Sequence, residues 1–360
     1  MIYDVAFELR DATEGGHVDF GVSIPTCREG LSMPLPYADI DDCVRMSQLA
    51  EKCGYHSAWG NDHITAPTYV RESYSEPPRF FEPLITLAYV AAHTERIKLG
   101  TAVLVVPMRD PVLLAKQVST LDQASGGRFL LGAGVGAYRE ELQAIRPSLS
   151  KPNRGEMLDE GLAALRLLLD EREGSMDGKF WSFRDVEIYP KAVQTPFPIY
   201  VGGNHPNQIS RAVKYGQAWF PASIPPEMVA TGRAELIRQA EDAGRDPASI
   251  RVAPQVIVSI RRSQREAQEN FERSEMFRHF NTLLDSTLRN VQLQKATGAS
   301  LIGSPSEIIE RVGQFQEAGA DMMASMTFVS PTFEQTLEDI QTFAEEVFPA
   351  FNRAPTATPA

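Results

Sequence analysis

Residues 96–137, RIKLGTAVLVVPMRDPVLLAKQVSTLDQASGGRFLLGAGVGA, decide the fold. The run over 96–107 is apolar on both alternating faces, as a strand covered on both sides must be. Asp110 before Pro111 is an N-cap and N1 pair, so 110–125 opens as a helix. Residues 126–137 then read as a second buried strand that exits through Gly132, Gly134 and Gly136.

The same unit recurs on either side. Strands are expected at 18–25, 55–61, 197–203, 218–222, 250–260 and 321–329. Between them, 37–54 places Ile40, Val44, Leu49, Ala50 and Cys53 on one helical face and ends at Gly54. Helices are also expected at 81–94, 154–171, 205–216, 226–244, 304–320 and 333–348. In the helix at 154–171, Leu158, Leu162, Leu165 and Leu169 share a face. Eight strand–helix repeats predict an α/β fold, a (β/α)8 TIM barrel with insertions at the C-terminal face of the strands. Residues 1–17 are an N-terminal extension, 18–350 one barrel domain, and 351–360 a tail of disordered composition. Segments 173–196 and 263–300 fit no repeat and read as insertions that cap the barrel.

The chain has 360 residues, 43% of them hydrophobic, with a formal net charge of −12. It has no Lys/Arg run, which argues against nucleic acid and anionic membranes and for a small-molecule partner. Three cysteines, Cys27, Cys43 and Cys53, favour reduced thiols over a disulfide framework. With no secretory signal and no apolar stretch of roughly 18 residues, a cytoplasmic protein is expected. The histidines lack metal-ligand spacing, and no nucleophile elbow is present, so neither a metal site nor nucleophilic hydrolysis is expected.

In such a barrel, chemistry belongs where strands exit into their loops. SAWGNDHIT, residues 57–65, leaves a strand through Asn61, Asp62 and His63. These are candidates for contact with a ligand, the plain alternative being a loop cap and a packed imidazole. Glycines at 132–136 and at Gly202 and Gly203, followed by Asn204, stand where backbone amides and a helix N-terminus suit a phosphate. GAGVGA also matches a dinucleotide fingerprint, but 154–171 is helical where that fold needs a strand. Tyr69, Tyr74, Phe80 and Trp219 are candidates for an apolar or aromatic substrate pocket. Arg71 and Arg79 in the same loop would pair instead with an acid group.

Taken in order, GYHSAWGNDHI, TERIKLGTAVLVVPMRDPVLLAKQVSTLDQASGGRFLLGAGVGAYREE, FPIYVGGN, AWFP and GSPSEIIERVGQFQEAGAD resemble the bacterial luciferase-like superfamily of flavin- and deazaflavin-dependent oxidoreductases. The resemblance spans about residues 19–345. It implies a flavin-type ring at the barrel mouth, with Asp62 and His63 beside its reactive face and Asn61 among the cofactor contacts. It implies a bulge and a non-prolyl cis peptide at Ala102-Val103, so that Thr101, Ala102 and Val103 lie against the ring. Gly134, Val135, Gly136, Gly202, Gly203 and Asn204 match segments that contact the ribityl chain and phosphate. One departure is Ala137, where sugar-phosphate dehydrogenases of the deazaflavin branch carry a Glu after the third glycine.

Two chemistries fit. The first is oxygenation of a small apolar or aromatic substrate by reduced FMN and O2, with a separate flavin reductase supplying the FMN. The alternative is hydride transfer with a deazaflavin, coenzyme F420, whose anionic tail Arg109, Arg128 and Arg139 would have to accept. In the first, His63 is an acid/base group and Asp62 orients it or the ring. A non-catalytic flavin-binding barrel is the third possibility. The resemblance also implies a possible homodimer.

Overall fold

The computed structural model describes residues 17–149, 153–284 and 298–351. The proposed extension and tail fall almost wholly outside them. In chain order the first half contains β1 (Asp19–Ile24), α1 (Ile40–Lys52), β2 (Ser57–Gly60), α2 (Thr68–Ser73), α3 (Pro83–Ala91), β3 (Lys98–Thr101), β4 (Leu104–Val105), α4 (Pro111–Ala124), β5 (Phe129–Gly134), α5 (Arg139–Ile145) and α6 (Arg154–Asp170). A hairpin of β6 (Gly174–Asp177) and β7 (Ser182–Val186) follows. The second half contains β8 (Ile199–Gly202), α7 (Pro206–Tyr215), β9 (Ala218–Phe220), α8 (Pro226–Asp242), β10 (Arg251–Val252), β11 (Ile257–Ile260), α9 (Gln264–Glu272), α10 (Glu275–Leu284), β12 (Leu301–Gly303), α11 (Pro305–Glu317), β13 (Met322–Phe328) and α12 (Phe333–Glu346).

These elements form a (β/α)8 barrel. Two of its staves are interrupted: β3 and β4 are one strand broken at Ala102-Val103, and β10 and β11 one strand broken around Pro254. Parallel pairing runs from β10 through β9, β8, β5, β3, β2, β1 and β13 to β11. The ring therefore closes through the 251–260 stave, whose Val252 and Val256 carbonyls accept hydrogen bonds from Asp321 and Thr327. β12 is a short additional strand on β11 that the sequence did not announce.

Helix starts follow their caps. Asp110 accepts from the backbone N–H groups of Val112 and Leu113, and Asn153 from those of Gly155 and Glu156. Gly54, at φ +85, closes α1 as expected of a C′ glycine.

Two cores lie on opposite faces of the sheet. One fills the barrel with Trp59, Leu130, Tyr200, Phe220, Met322 and Ala324, and a larger one lies between barrel and helices. Trp59 sits at the centre, its indole N–H donating to Ser57 Oγ at 2.7 Å. Its ring needs bare backbone beside it: a Cβ on Gly100 would stand 2.2 Å from it. With the lower barrel filled by aromatic rings, open space is left at the strand ends.

Candidate active site

At the C-terminal end of the strands lies a cavity of about 700 Å3, counting its open mouth. The exits of β1, β2, β3 and β9 wall it, together with the Gln255–Ile257 stretch and β13, and α10 adds Met276, His279 and Phe280. Of the residues singled out from the sequence, Asn61, His63 and Ala102 line it.

The triplet leaving β2 divides its labour. The Asn61 side chain accepts from Thr26 Oγ1 and Cys27 N and donates to the Cys27 carbonyl at 2.7 Å, so it staples the β1 exit. Asp62, fully buried, accepts from Val105 N at 2.9 Å and from Arg109 Nη2 at 2.7 Å. Its charge is thus spent on the far side of the broken β3–β4 stave and does not orient His63. His63 also lines the cavity, its Nδ1 2.9 Å from Glu141 Oε1. Glu141 is buried, and its Oε2 has no partner. Glu141 stands in the first turn of α5, four residues after Ala137. A carboxylate on one imidazole nitrogen fixes ring orientation and leaves Nε2 to exchange a proton with whatever enters the cavity.

The Ala102-Val103 peptide is cis, at the position the resemblance implies. Val103 is received by two glycines: a Cβ on Gly134 or Gly202 would lie 2.6 or 2.4 Å from its methyls. Gly136 and Gly203 carry φ of +76 and +123, conformations that favour glycine. Thr101 Oγ1 donates to the Gly132 carbonyl, and the Asn204 amide pairs with both backbone groups of Ala222. These two side chains hold the rim together and are not free for a ligand.

Arg154, the first residue of α6, is the functional candidate the glycine motif left out. Its Nη1 donates to the Gly136 carbonyl at 2.8 Å, and its Nε is buried without a partner. It makes no ion pair among the described residues, and burial lowers its pKa to about 10. A half-buried guanidinium beside Gly136, at the N-terminus of a 17-residue helix, suits a phosphate.

The aromatic candidates separate. Tyr69, Tyr74 and Phe80 pack with Leu31, Ala66 and Val70 over the β1 exit loop. The Tyr69 hydroxyl lies 2.7 Å from His279 Nδ1, Tyr74 bonds Arg278, and the Phe80 ring centroid lies 5.6 Å from that of His63. Trp219 does not serve the pocket. It points away from the barrel interior onto Gly232 of α8, its indole N–H on the Gly203 carbonyl, while its neighbour Phe220 points inward.

Trp181, in the hairpin, packs beside β4 on Val105 and Met108 and does not line the cavity. Arg128 binds carbonyls of Ala91, Thr94 and Ile97 at the opposite end of the barrel, and Arg109 is held by Asp62 and Glu82. Arg79 is neutralised by Glu29. Burial pushes the Cys27 thiol up to about 12, which rules it out as a thiolate nucleophile.

Comparison with known proteins fits this geometry. A family model for luciferase-like monooxygenases matches residues 18–322. The chain belongs to the luciferase-like monooxygenase family. As a member of it, the protein is a flavin-dependent oxidoreductase. This luciferase-like chain is 22% identical to the oxygenase component of a flavin-dependent trigonelline monooxygenase from Acinetobacter baylyi, over 87% of its own length and 90% of the relative's. It is 26% identical to an FMNH2-dependent dimethylsulfone monooxygenase from Pseudomonas putida, covering 86% and 88% of the two chains. The structure of an F420-dependent secondary alcohol dehydrogenase superposes with a TM-score of 0.76 at 21% identity, over 94% of this chain and all of that one. That likeness shows a shared fold.

The sequence reading misses Glu141, Arg154, His279 and Arg28, the last of which also lines the cavity. Arg28 follows the β1 exit, so the rule that ranks strand exits highest was enough to find it. Glu141 and Arg154 lie one element further on, and His279 sits in an insertion that no exit rule reaches.

Proposed function

We propose that this protein is the oxygenase of a two-component monooxygenase that uses reduced FMN and O2 on a small organic substrate. The observation that carries the reading is the arrangement of the mouth. Ala102 and His63 line the cavity, Val103 of the same cis peptide packs on Gly134 and Gly202 at the glycine exits, and Arg154 holds the Gly136 carbonyl beside them. The orphaned Arg154 Nε beside the Gly136 carbonyl fits the phosphate of a planar cofactor. Gly134, Val135, Gly136 and Arg154 would hold its phosphate end, with Gly202 and Gly203 alongside. Ala102 and Val103 would support the ring. When bound, the flavin supplies the electrons that activate oxygen.

The chain's own residues prepare that chemistry. Asp62 and Arg109 hold the β4 end of the broken stave, and Asn61 holds the β1 exit against it. Glu141 orients His63, whose Nε2 gives or takes the proton the reaction needs. Tyr69, Phe80 and α10 cover the cavity on one side, which limits water.

Both named relatives are flavin monooxygenases, one of them an "oxygenase component", and that supports a separate flavin reductase as partner. Exposed Ile85, Tyr89 and Leu113 on α3 and α4 are where a second copy would dock to form a homodimer. Three free cysteines, two of them buried, suit a cytoplasmic protein. Among the described residues no helix is long and apolar enough to cross a membrane. Coenzyme F420-dependent hydride transfer is the second reading, supported by the F420-dependent structural neighbour.

The deciding experiment measures O2 consumption over a panel of organic substrates with an added flavin reductase, NADH and FMN. Reduced F420 without O2 is the second arm. Substrate-dependent O2 uptake with FMN is expected, and His63→Ala should lower turnover by about 10²- to 10⁴-fold with FMN affinity retained. Turnover only in the F420 arm, or full turnover by His63→Ala, would overturn the reading.

A further inference from the structure

The mouth has two chemically different walls. In an eight-stranded ring the fourth and fifth staves, β5 and β8, stand across from the eighth and first, β13 and β1. The glycine exits and Arg154 belong to the first pair. The second pair carries another cation.

Arg28 leaves β1 and lines the cavity. Its guanidinium makes one side-chain hydrogen bond, Nη2 to Ser23 Oγ at 2.6 Å, and no ion pair among the described residues. Nε is buried without a partner, and so are Ser32 Oγ and Ser325 Oγ, which line the same cavity. The nearby carboxylates are occupied: Glu29 holds Arg79, Asp62 holds Arg109, and Glu141 holds His63. Burial lowers the Arg28 pKa to about 10, still far above neutrality, so the charge persists.

A packed core satisfies its polar groups. Three orphans from the β1 exit, its loop and β13 that meet at one cavity call for an acceptor from outside. Leu31, Met276 and Phe280 give the same end of the cavity an apolar lining.

We propose that the β1–β13 wall is an acid-binding subsite, where Arg28, Ser32 and Ser325 hold the carboxylate or sulfonate of a small organic acid whose apolar body packs on Leu31, Met276 and Phe280. This rests on the oxygenase reading in one respect, that the acid is the substrate. Anchored there, its other end faces His63 and Ala102 across the same cavity. Arg28 thereby sets specificity, and neutral compounds of the same shape are poor ligands because the cation stays unpaired.

The test uses the purified full chain, with and without saturating oxidised FMN, titrated calorimetrically with benzoate and with its neutral analogue benzamide. Benzoate should bind 1:1 and benzamide at least about tenfold more weakly. Arg28→Gln should weaken benzoate by about 10- to 100-fold, Arg28→Lys should restore part of it, and FMN affinity should not move. Ser325→Ala, a nearly isosteric change, should weaken benzoate severalfold and serves as the decisive variant if Arg28→Gln does not fold. Equal binding of benzoate and benzamide, or benzoate binding untouched by these variants, overturns the proposal. So does an Arg28→Gln protein that loses affinity for FMN but not for riboflavin, which would assign Arg28 to the cofactor phosphate. If the wild-type chain binds benzoate through Arg28 but binds no FMN, the flavin reading falls and the acid subsite stands.

Discussion

Asp62→Asn keeps the shape of the side chain and removes the charge that joins β2 to the broken β3–β4 stave. The carboxylate accepts from two donors, Val105 N–H at 2.9 Å and Arg109 Nη2 at 2.7 Å. An amide can accept from only one of them and turns its NH2 toward the other. Losing a charge-assisted hydrogen bond costs about 1.5–3 kcal/mol, and breaking a buried pair outright about 3–5 kcal/mol. Glu82 remains 3.0 Å from Arg109, so the guanidinium is not abandoned and a loss of about 2–3 kcal/mol is expected. Unfolding entropy of about 2.1 cal/mol/K per residue comes to roughly 0.8 kcal/mol/K for a chain of this length, so Tm should fall by about 3–4 °C. FMN affinity should fall with it, because Val105 anchors the segment after Ala102-Val103. Scanning calorimetry and flavin fluorescence titration read both quantities. An unchanged Tm and FMN affinity together with collapsed turnover would refute the tether and return Asp62 to the reacting atoms.

Arg154→Gln should weaken FMN by about tenfold and leave riboflavin unaffected, since its guanidinium is placed for the phosphate; equal losses for the two flavins would refute that placement. Gly132→Ala should prevent folding, because its Cβ would stand 1.8 Å from the Thr101 carbonyl oxygen, whereas Gly313→Ala, helical and open, should gain up to about 1 kcal/mol. Soluble expression and thermal melts compare the two variants. Burial depresses the pKa of His56 to about 4 and of His279 to about 3, so the unfolded chain takes up these protons first as pH falls. Stability from these groups should be complete above about pH 6.5 and decline toward pH 4, by at most about 1.4 kcal/mol per pH unit for each histidine. Denaturant midpoints at pH 7 and pH 5 measure it, and His279→Asn should flatten the slope.

The barrel was legible because its signals are local. The caps Asp110-Pro111 and Gly54, the leucine face of α6 and the apolar staves each depend on residues a few positions apart. The interruption at Ala102-Val103 had no such local signal and was placed only by the family resemblance. The site was legible only as a region. His63, Ala102 and Asn61 do line the cavity, but Asn61, Thr101 and Asn204 spend their side chains on the rim. Trp219 and Phe220 show why: on a stave apolar on both faces the alternation carries no label for inside and outside. Only the packing of the ring sends Phe220 inward to Trp59 and Trp219 outward to Gly232.

The sequence by itself determined the order of strands and helices, the eightfold repeat and the rim on which chemistry had to lie, since periodicity and capping are properties of neighbours along the chain. Tertiary structure alone decided the partners: Glu141 on His63 across 78 positions, Arg109 on Asp62 across 47, and no carboxylate for Arg28 or Arg154 among the described residues, whose Nε atoms stay unpaired. Charges pair by distance in space, and closing the barrel brings its eight exits together. Which cations that closure neutralises, and which it leaves for a ligand, is fixed only when all the loops are in place.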